Sequence, residues 1–150
     1  MEKVVEWENN KIGNLVELTQ GFAINKNSKH FVVNKGYPLL RITDMINNNQ
    51  SVFISEDIPE KFLAKPDDII YTRTGQVGLV FNNQFGVIHN NCFTVNPVDN
   101  KISSDFLYWF LRNPKIKKIA NTLAAGAAQP DLSHGSFNSI TIKYPTKIES

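Results

Sequence analysis

The sequence holds a single cysteine, Cys92, among its 150 residues. That excludes an internal disulfide and any cysteine-based zinc cage. An unpaired thiol suits a reducing cytoplasm, which is the compartment expected. No run of eighteen apolar residues occurs, so no segment reads as a membrane-spanning helix. The opening MEKVVEWENN carries three glutamates and no apolar stretch, so no secretory leader is read there. Neither GxxxxGK[ST] nor GxGxxG is present, which removes the common phosphate-cradling loops. The three histidines, His30, His89 and His134, are scattered without ligand spacing. No metal and no cofactor are therefore expected.

What is present is enough for one domain with an ordinary core: 41% hydrophobic residues against 20% charged. The formal net charge of +2 is unevenly spread. Residues 1–100 hold 9 Lys and Arg against 11 Asp and Glu, whereas residues 101–150 hold 7 against 3. A basic final third suits phosphate, and equally a solvated lysine face. Asparagine is abundant, as in Asn47-Asn48-Asn49. It favours turns and also suits contacts to base edges.

Along the chain, Asn10 as N-cap with Ile12, Leu15, Val16 and Thr19 on one face predicts an N-terminal helix, stopped by Gly21. Phe22 to Gly36 reads as a polar, lysine-bearing loop. Tyr37 to Thr43 reads as a strand, and residues 52–54 as a short one. After a turn at Leu63 to Asp67, Asp68 to Thr74 alternates like a strand. It breaks at Gly75 and resumes from Gln76 to Phe81, a hairpin or kinked strand. Asn82-Asn83 is a turn, and Phe85 to His89 and Cys92 to Val95 are two more strands. Ser104 is read as the cap of a helix running to Arg112. Asn113 caps a second helix with Pro114 at its first position, and Ile116, Ile119, Ala120 and Leu123 line one side. Lys115, Lys117 and Lys118 then face solvent or a partner, and Gly126 ends the helix. A polar loop, Ala127 to Asn138, leads to a last strand, Ile140 to Tyr144.

Catalytic templates fail on inspection. Asn96-Pro97 begins like an amino-methyltransferase motif but lacks the second proline and the aromatic. Pro66-Asp67 begins like a restriction-nuclease core but no [DE]-x-K follows. The neighbouring acids Asp67-Asp68 and Glu56-Asp57 would point to opposite faces of a strand, which does not make a general acid–base pair. Polar residues at strand ends and in loops remain. Arg41 and Asp44 bracket the exit of the 37–43 strand. Arg73, Thr74 and Gln76 surround the Gly75 turn, and Gln129, Ser133 and His134 lie in the 127–138 loop. Arg, Asn and Gln can pair bidentately with base edges. Strand-end ion pairs are the alternative for Arg41 and Arg73.

The order of motifs resembles a target recognition domain of the DNA specificity subunit of type I restriction-modification enzymes. Trp7 followed by Ile12-Gly13-Asn14-Leu15-Val16 resembles the domain opening. Gly36-Tyr37-Pro38-Leu39-Leu40-Arg41-Ile42-Thr43-Asp44-Met45 resembles the family's Gly–Pro–hydrophobic–Arg–x–x–Asp strand. Leu63-Ala64-Lys65-Pro66-Asp67-Asp68-Ile69-Ile70, then Gly75 and Gly78, resembles its next segment, with Asp67 where glycine is usual. Phe106 to Leu111, then Gly126, Gln129 and Leu132, and finally Ile140-Thr141-Ile142-Lys143-Tyr144-Pro145 complete the order.

The resemblance implies a non-catalytic module that reads one half of a split DNA site, a second such domain reading the other. It implies docking to methyltransferase subunits and, through them, restriction subunits. The expected fold is α+β, one domain over residues 1–150: a twisted, mostly antiparallel sheet with an N-terminal helix and a C-terminal helix pair. Arg41, Thr43, Asp44, Arg73, Thr74, Gln76 and Gln129 are expected at or near bases of double-stranded DNA, and Lys26, Lys29, Lys117 and Lys118 at phosphates. The family's long spacer helix is not seen after Pro145, so a monomeric fragment without it is expected. Two rivals stand beside this reading. One is a protein- or carbohydrate-binding module. The other is a small hydrolase using His89 or His134, for which no nucleophile and base can be placed.

Overall fold

A computed structural model describes residues 6–126 and 128–146. Among these, eleven strands, numbered along the chain, form three sheets. β1 (Trp7–Lys11) pairs with β11 (Thr141–Pro145), joining the two ends of the chain. β2 (Val16–Gln20), β10 (Cys92–Pro97), β7 (Ile69–Thr72) and β8 (Val80–Phe81) lie side by side in that order. β3 (Val32–Val33), β5 (Phe53–Ile54), β4 (Tyr37–Leu40), β9 (Gly86–Ile88) and β6 (Leu63–Ala64) form the third sheet. Every pairing is antiparallel except β4 with β9. The α+β class, the mostly antiparallel pairing and the C-terminal helix pair all match expectation.

The middle sheet is covered on both sides, and its sequence says so. β7 reads IIYT and is buried throughout, the near-continuous apolar run of a strand with two covered faces. Alternate residues serve different cores. Ile69 and Tyr71, with Phe93 and Val95 of β10, enter the main core. Ile70 and Cys92 enter a second one with Leu40, Met45 and Ile88. The main core is closed by α2 (Ser104–Arg112), α3 (Pro114–Ala124) and α4 (His134–Asn138). At its centre the rings of Tyr71, Phe93 and Phe137 stand 5.0–5.7 Å apart. Truncating a buried Phe such as Phe137 to Ala costs about 3–5 kcal/mol.

Several expectations require correction, among them the Leu63–Asp67 turn, whose Leu63–Ala64 is β6 paired with β9, and the Gln76–Phe81 strand, of which only Val80–Phe81 pairs. The N-terminal helix is absent: β1 gives way to a 3₁₀ turn, Ile12–Asn14, and then to β2. Asn10 does not cap; its Oδ1 accepts from its neighbours Lys11 N and Asn14 Nδ2. Long-range pairing decides the matter. The Ile12 N–H donates to the Ile140 carbonyl, and β2 pairs with β10 along its whole length. Gly21 is not a helix stop but a point of close approach, where a Cβ would lie 2.0 Å from the His89 carbonyl oxygen.

The 37–43 strand stops at Leu40, its last paired residue, and α1 (Ile42–Asn47) begins, ended by Asn48 in a left-handed conformation (φ 56°). The 22–36 loop holds a 3₁₀ turn, Lys29–Phe31, and β3. The final polar loop folds into α4, because Phe137 has a core site to fill and Ser133 caps the turn by accepting from Ser136 N. Ala127, with which that loop was expected to begin, lies outside the described residues. So do residues 147–150, on which the reading of a missing spacer helix partly rests.

The helix caps are close to expectation. Ser103, one residue before the expected Ser104, accepts from Phe106 N, and Asn113 accepts from Lys115 N with Pro114 at the first turn of α3.

Candidate nucleic-acid interface

Register brings the polar strand ends together. β4 and β9 run parallel with Leu40 opposite Ile88, so the next residues, Arg41 and His89, leave the sheet side by side. β7 and β10 pair with Thr72 opposite Cys92, so Arg73 and Asn91 meet at the same end. There the Arg73 N–H donates to the Asn91 carbonyl at 2.8 Å. The result is an open concavity of about 440 Å3, lined by Arg41, Ile42, Thr43, Gly75, Gln76, His89 and Asn91. A second, of about 450 Å3, shares Gln76 with it and has Lys117, Arg112, Ile46 and Val80 among its lining.

The 73–79 loop that presents Gln76 is braced from beneath. The fully buried Thr72 hydroxyl donates to the Gln76 carbonyl and accepts from Leu79 N. Gly78 (φ +93°) lies where a Cβ would come within 2.8 Å of Lys117 Cγ, so the loop can touch α3 only with glycine there. Asn121 of α3 adds a side-chain bond to the Val77 carbonyl.

The expected contact residues divide by what already holds them. Arg41 is half exposed and uses only Nε, donating to Asp44 Oδ2 at 2.8 Å. Asp44 is itself 4% exposed, and its other oxygen accepts from Ser51 Oγ at 2.9 Å. The Arg41 bond, and then that of Ser51, outweigh burial and hold the Asp44 carboxyl below its ordinary 3.8. Both Asp44 carboxylate oxygens are thus engaged by protein groups, one of them by the Arg41 guanidinium. Arg73 is engaged twice, with Asp131 (2.8 Å) and with the Asn90 carbonyl (3.2 Å), and its Nε is buried. It ties the 128–133 loop to the strand end rather than standing free.

Thr74 is bonded to Asn91 Oδ1. Thr43, Gln76 and Gln129 are exposed. Thr43 and Gln76 line the first concavity and Gln129 does not. Lys117 lines the second, whereas Lys118 lines neither. Lys26 and Lys29 lie on the exposed 23–30 segment, near the Phe22–Phe31–Phe62 cluster and away from both concavities.

Three lining residues were not singled out as contacts: His89, Asn91 and Arg112. The polar run His89-Asn90-Asn91 between two predicted strands was visible, but its meeting with Arg41 depends on the parallel β4–β9 register. Burial first, then the Arg41 charge, lowers the His89 pKa below 6.5, so its ring is neutral at pH 7. Its Nδ1 is buried without a partner among the described residues. The site offers donors and acceptors rather than a nucleophile. Cys92 is fully buried, and burial pushes its thiol up to about 12. Among the described residues no group of three or more His, Cys, Asp or Glu side chains is placed to hold a metal ion, and no helix is long and apolar enough to cross a membrane.

Comparison with known proteins agrees with the resemblance. The family model described as the type I restriction modification DNA specificity domain matches residues 4–150. The EcoBI type I restriction enzyme specificity subunit of Escherichia coli is 25% identical over 103 residues, 68% of this chain and 22% of that subunit. Among solved structures, the type I restriction-modification S subunit of M. genitalium superposes with a TM-score of 0.67 at 16% identity. It covers 97% of this chain and 36% of its own. The HsdS subunit of Thermoanaerobacter tengcongensis gives 0.66 at 16% identity, over 93% and 33%. These two likenesses show the fold, and this chain spans about a third or less of each relative's length. With the match running over all but its first three residues, the chain belongs to the type I restriction modification DNA specificity domain family.

Proposed function

We propose that the chain is a non-catalytic module that binds double-stranded DNA sequence-specifically through the concavity at the ends of β4, β7 and β9. The observation that carries this is the Arg41 guanidinium, held by Asp44 and presented beside Thr43, Gln76, His89 and Asn91 in an open, polar hollow. Bidentate donors at fixed positions read base edges, whereas cations on the rim position the duplex without reading it. Lys117 and Arg112 in the adjoining hollow fit the second role.

Family membership supports the wider reading. The domain reads one half of a split site, a second such domain reads the other, and the specificity subunit docks methyltransferase and, through it, restriction subunits. The free, buried Cys92 accords with action in the cytoplasm.

The test is selection of bound duplexes from a randomised library by this chain, followed by salt titration. An enriched motif is expected, with a log–log salt slope near −4 to −5 for about five phosphate contacts. No enrichment together with salt-independent behaviour would indicate a protein- or carbohydrate-binding module instead.

A further inference from the structure

We infer that Arg41 reads a guanine, and that Asp44 and Ser51 are the positioning residues that make it do so. This rests on the DNA-binding reading above and adds the base and the device. A guanidinium can approach two acceptors along its Nε–Nη edge or along its Nη1–Nη2 edge. In this structure Nε is taken by Asp44 Oδ2 at 2.8 Å, and Asp44 Oδ1 is taken by Ser51 Oγ at 2.9 Å. The first edge is thereby closed, and no protein group holds Nη1 or Nη2 among the described residues.

Arg41, with this fork unpaired, lines the concavity together with Thr43, Gln76 and His89. Two parallel N–H donors with no acceptor between them match guanine O6 and N7, the one base edge with two acceptors side by side in the major groove. An adenine offers a donor beside its acceptor and is rejected.

The bracket is built rather than incidental. Asp44 is 4% exposed, at the edge of a neighbouring hollow, and its two carboxylate oxygens are bonded to Arg41 and Ser51. An unpaired carboxylate there would be costly, which keeps Arg41 in place even without DNA. The preorganised side chain loses little freedom on binding. Arg73, held on both its Nη groups, has no such free edge.

The experiment begins with the motif that the wild-type chain selects. Each guanine in it is replaced in turn by 7-deazaguanine, which lacks the N7 acceptor, and affinities are measured by fluorescence anisotropy. One position is expected to lose about tenfold or more in the wild type, a loss within the range of a good bidentate contact. In Arg41→Ala, and in Asp44→Asn, the same replacement is expected to cost nothing further. Ser51→Ala should show an intermediate penalty and, as a substitution at an exposed residue, guards against misfolding of the Asp44 variant. Asp44→Glu should restore part of the discrimination. The far-UV circular dichroism spectrum and a cooperative thermal melt should be retained in the Asp44 and Ser51 variants, which a general loss of structure would not allow.

A selected motif with no guanine coupled to Arg41 overturns the base assignment while leaving DNA recognition standing. Full discrimination retained in Asp44→Asn and Ser51→Ala overturns the positioning role. Failure to select any motif sinks the DNA reading itself.

Discussion

Arg41 and Arg73 occupy like positions, each one residue past a strand, and the structure separates them by their partners. Arg41 keeps two nitrogens free, whereas Arg73 spends both on Asp131 and Asn90. Arg73→Ala is therefore expected to weaken binding about equally for selected and scrambled duplexes. Its ion pair is partly screened, so it should cost only about 1 kcal/mol of stability, a fall in Tm of roughly 2–4 °C. Anisotropy titration and thermal melts check both, and a loss confined to the selected duplex would show that the guanidinium leaves Asp131 to read a base. Thr72→Val keeps shape but strips the hydroxyl from beneath the 73–79 loop, leaving Leu79 N–H and the Gln76 carbonyl without that partner. About 1–3 kcal/mol of destabilisation is expected in urea unfolding. In the sequence each arginine simply follows a strand; that Arg41 meets a carboxylate through Nε and Arg73 through Nη2, with Nη1 on a carbonyl, is set by the loops they face.

The helices show where periodicity is a sufficient guide and where it is not. In α3 the Asn113-Pro114 start and the burial of Ile116 and Ala120 were legible, because cap chemistry and a 3.6-residue stripe act locally, but Ile119 and Leu123 of the expected stripe are exposed and Ala124 is buried instead. That stripe also orients the lysines. Lys117 and Lys118 are about 100° apart around the helix axis, and only Lys117 lines a concavity. Lys117→Ala is expected to reduce the salt slope by about 1, and Lys118→Ala to leave it unchanged. An equal effect of both would place α3 end-on to the phosphates. At the N-terminus the same kind of stripe misleads. Ile12, Leu15 and Val16 satisfy a helical face, yet Val16 and Leu18 also satisfy a strand's alternation. The backbone partners offered by β10 and Ile140 choose between them.

Over the molecule as a whole, two histidines couple stability to pH. Burial lowers the pKa of His89, with help from Arg41, and that of His134, with help from Arg73. The unfolded chain thus binds protons near pH 6.5 that the folded chain refuses. Stability is complete above that pH and falls as pH drops through 6.5 toward the lowered folded values. Asp44 acts in a separate window, its stabilisation being lost below 3.8 as its depressed pKa is approached. Thermal melts from pH 7.5 to 5 should show a falling Tm, flattened in a His89→Gln, His134→Gln variant. An unchanged slope in that variant would assign the effect to other groups. The His134 ring also bonds Gln20 Oε1 at 2.8 Å, while Gln20 Nε2 donates to the Asn90 carbonyl. The histidine that anchors α4 is thus linked to the turn beside Arg41.

Composition and pattern were enough for the class, the helix pair and most strand positions, since each rests on neighbours within a few residues. Order of motifs was enough for the family. The meeting of Arg41, His89, Asn91 and Gln76 was beyond their reach, because it arises from two long-range pairings, the parallel Leu40 with Ile88, 48 residues apart, and the antiparallel Thr72 with Cys92. The same holds for Asp44. Its type and spacing mark it as polar and near the strand exit, whereas its burial and its bonds to Arg41 and Ser51 depend on what folds around it. A side chain's chemistry is local; which of its atoms are left free depends on what the rest of the chain has folded against it.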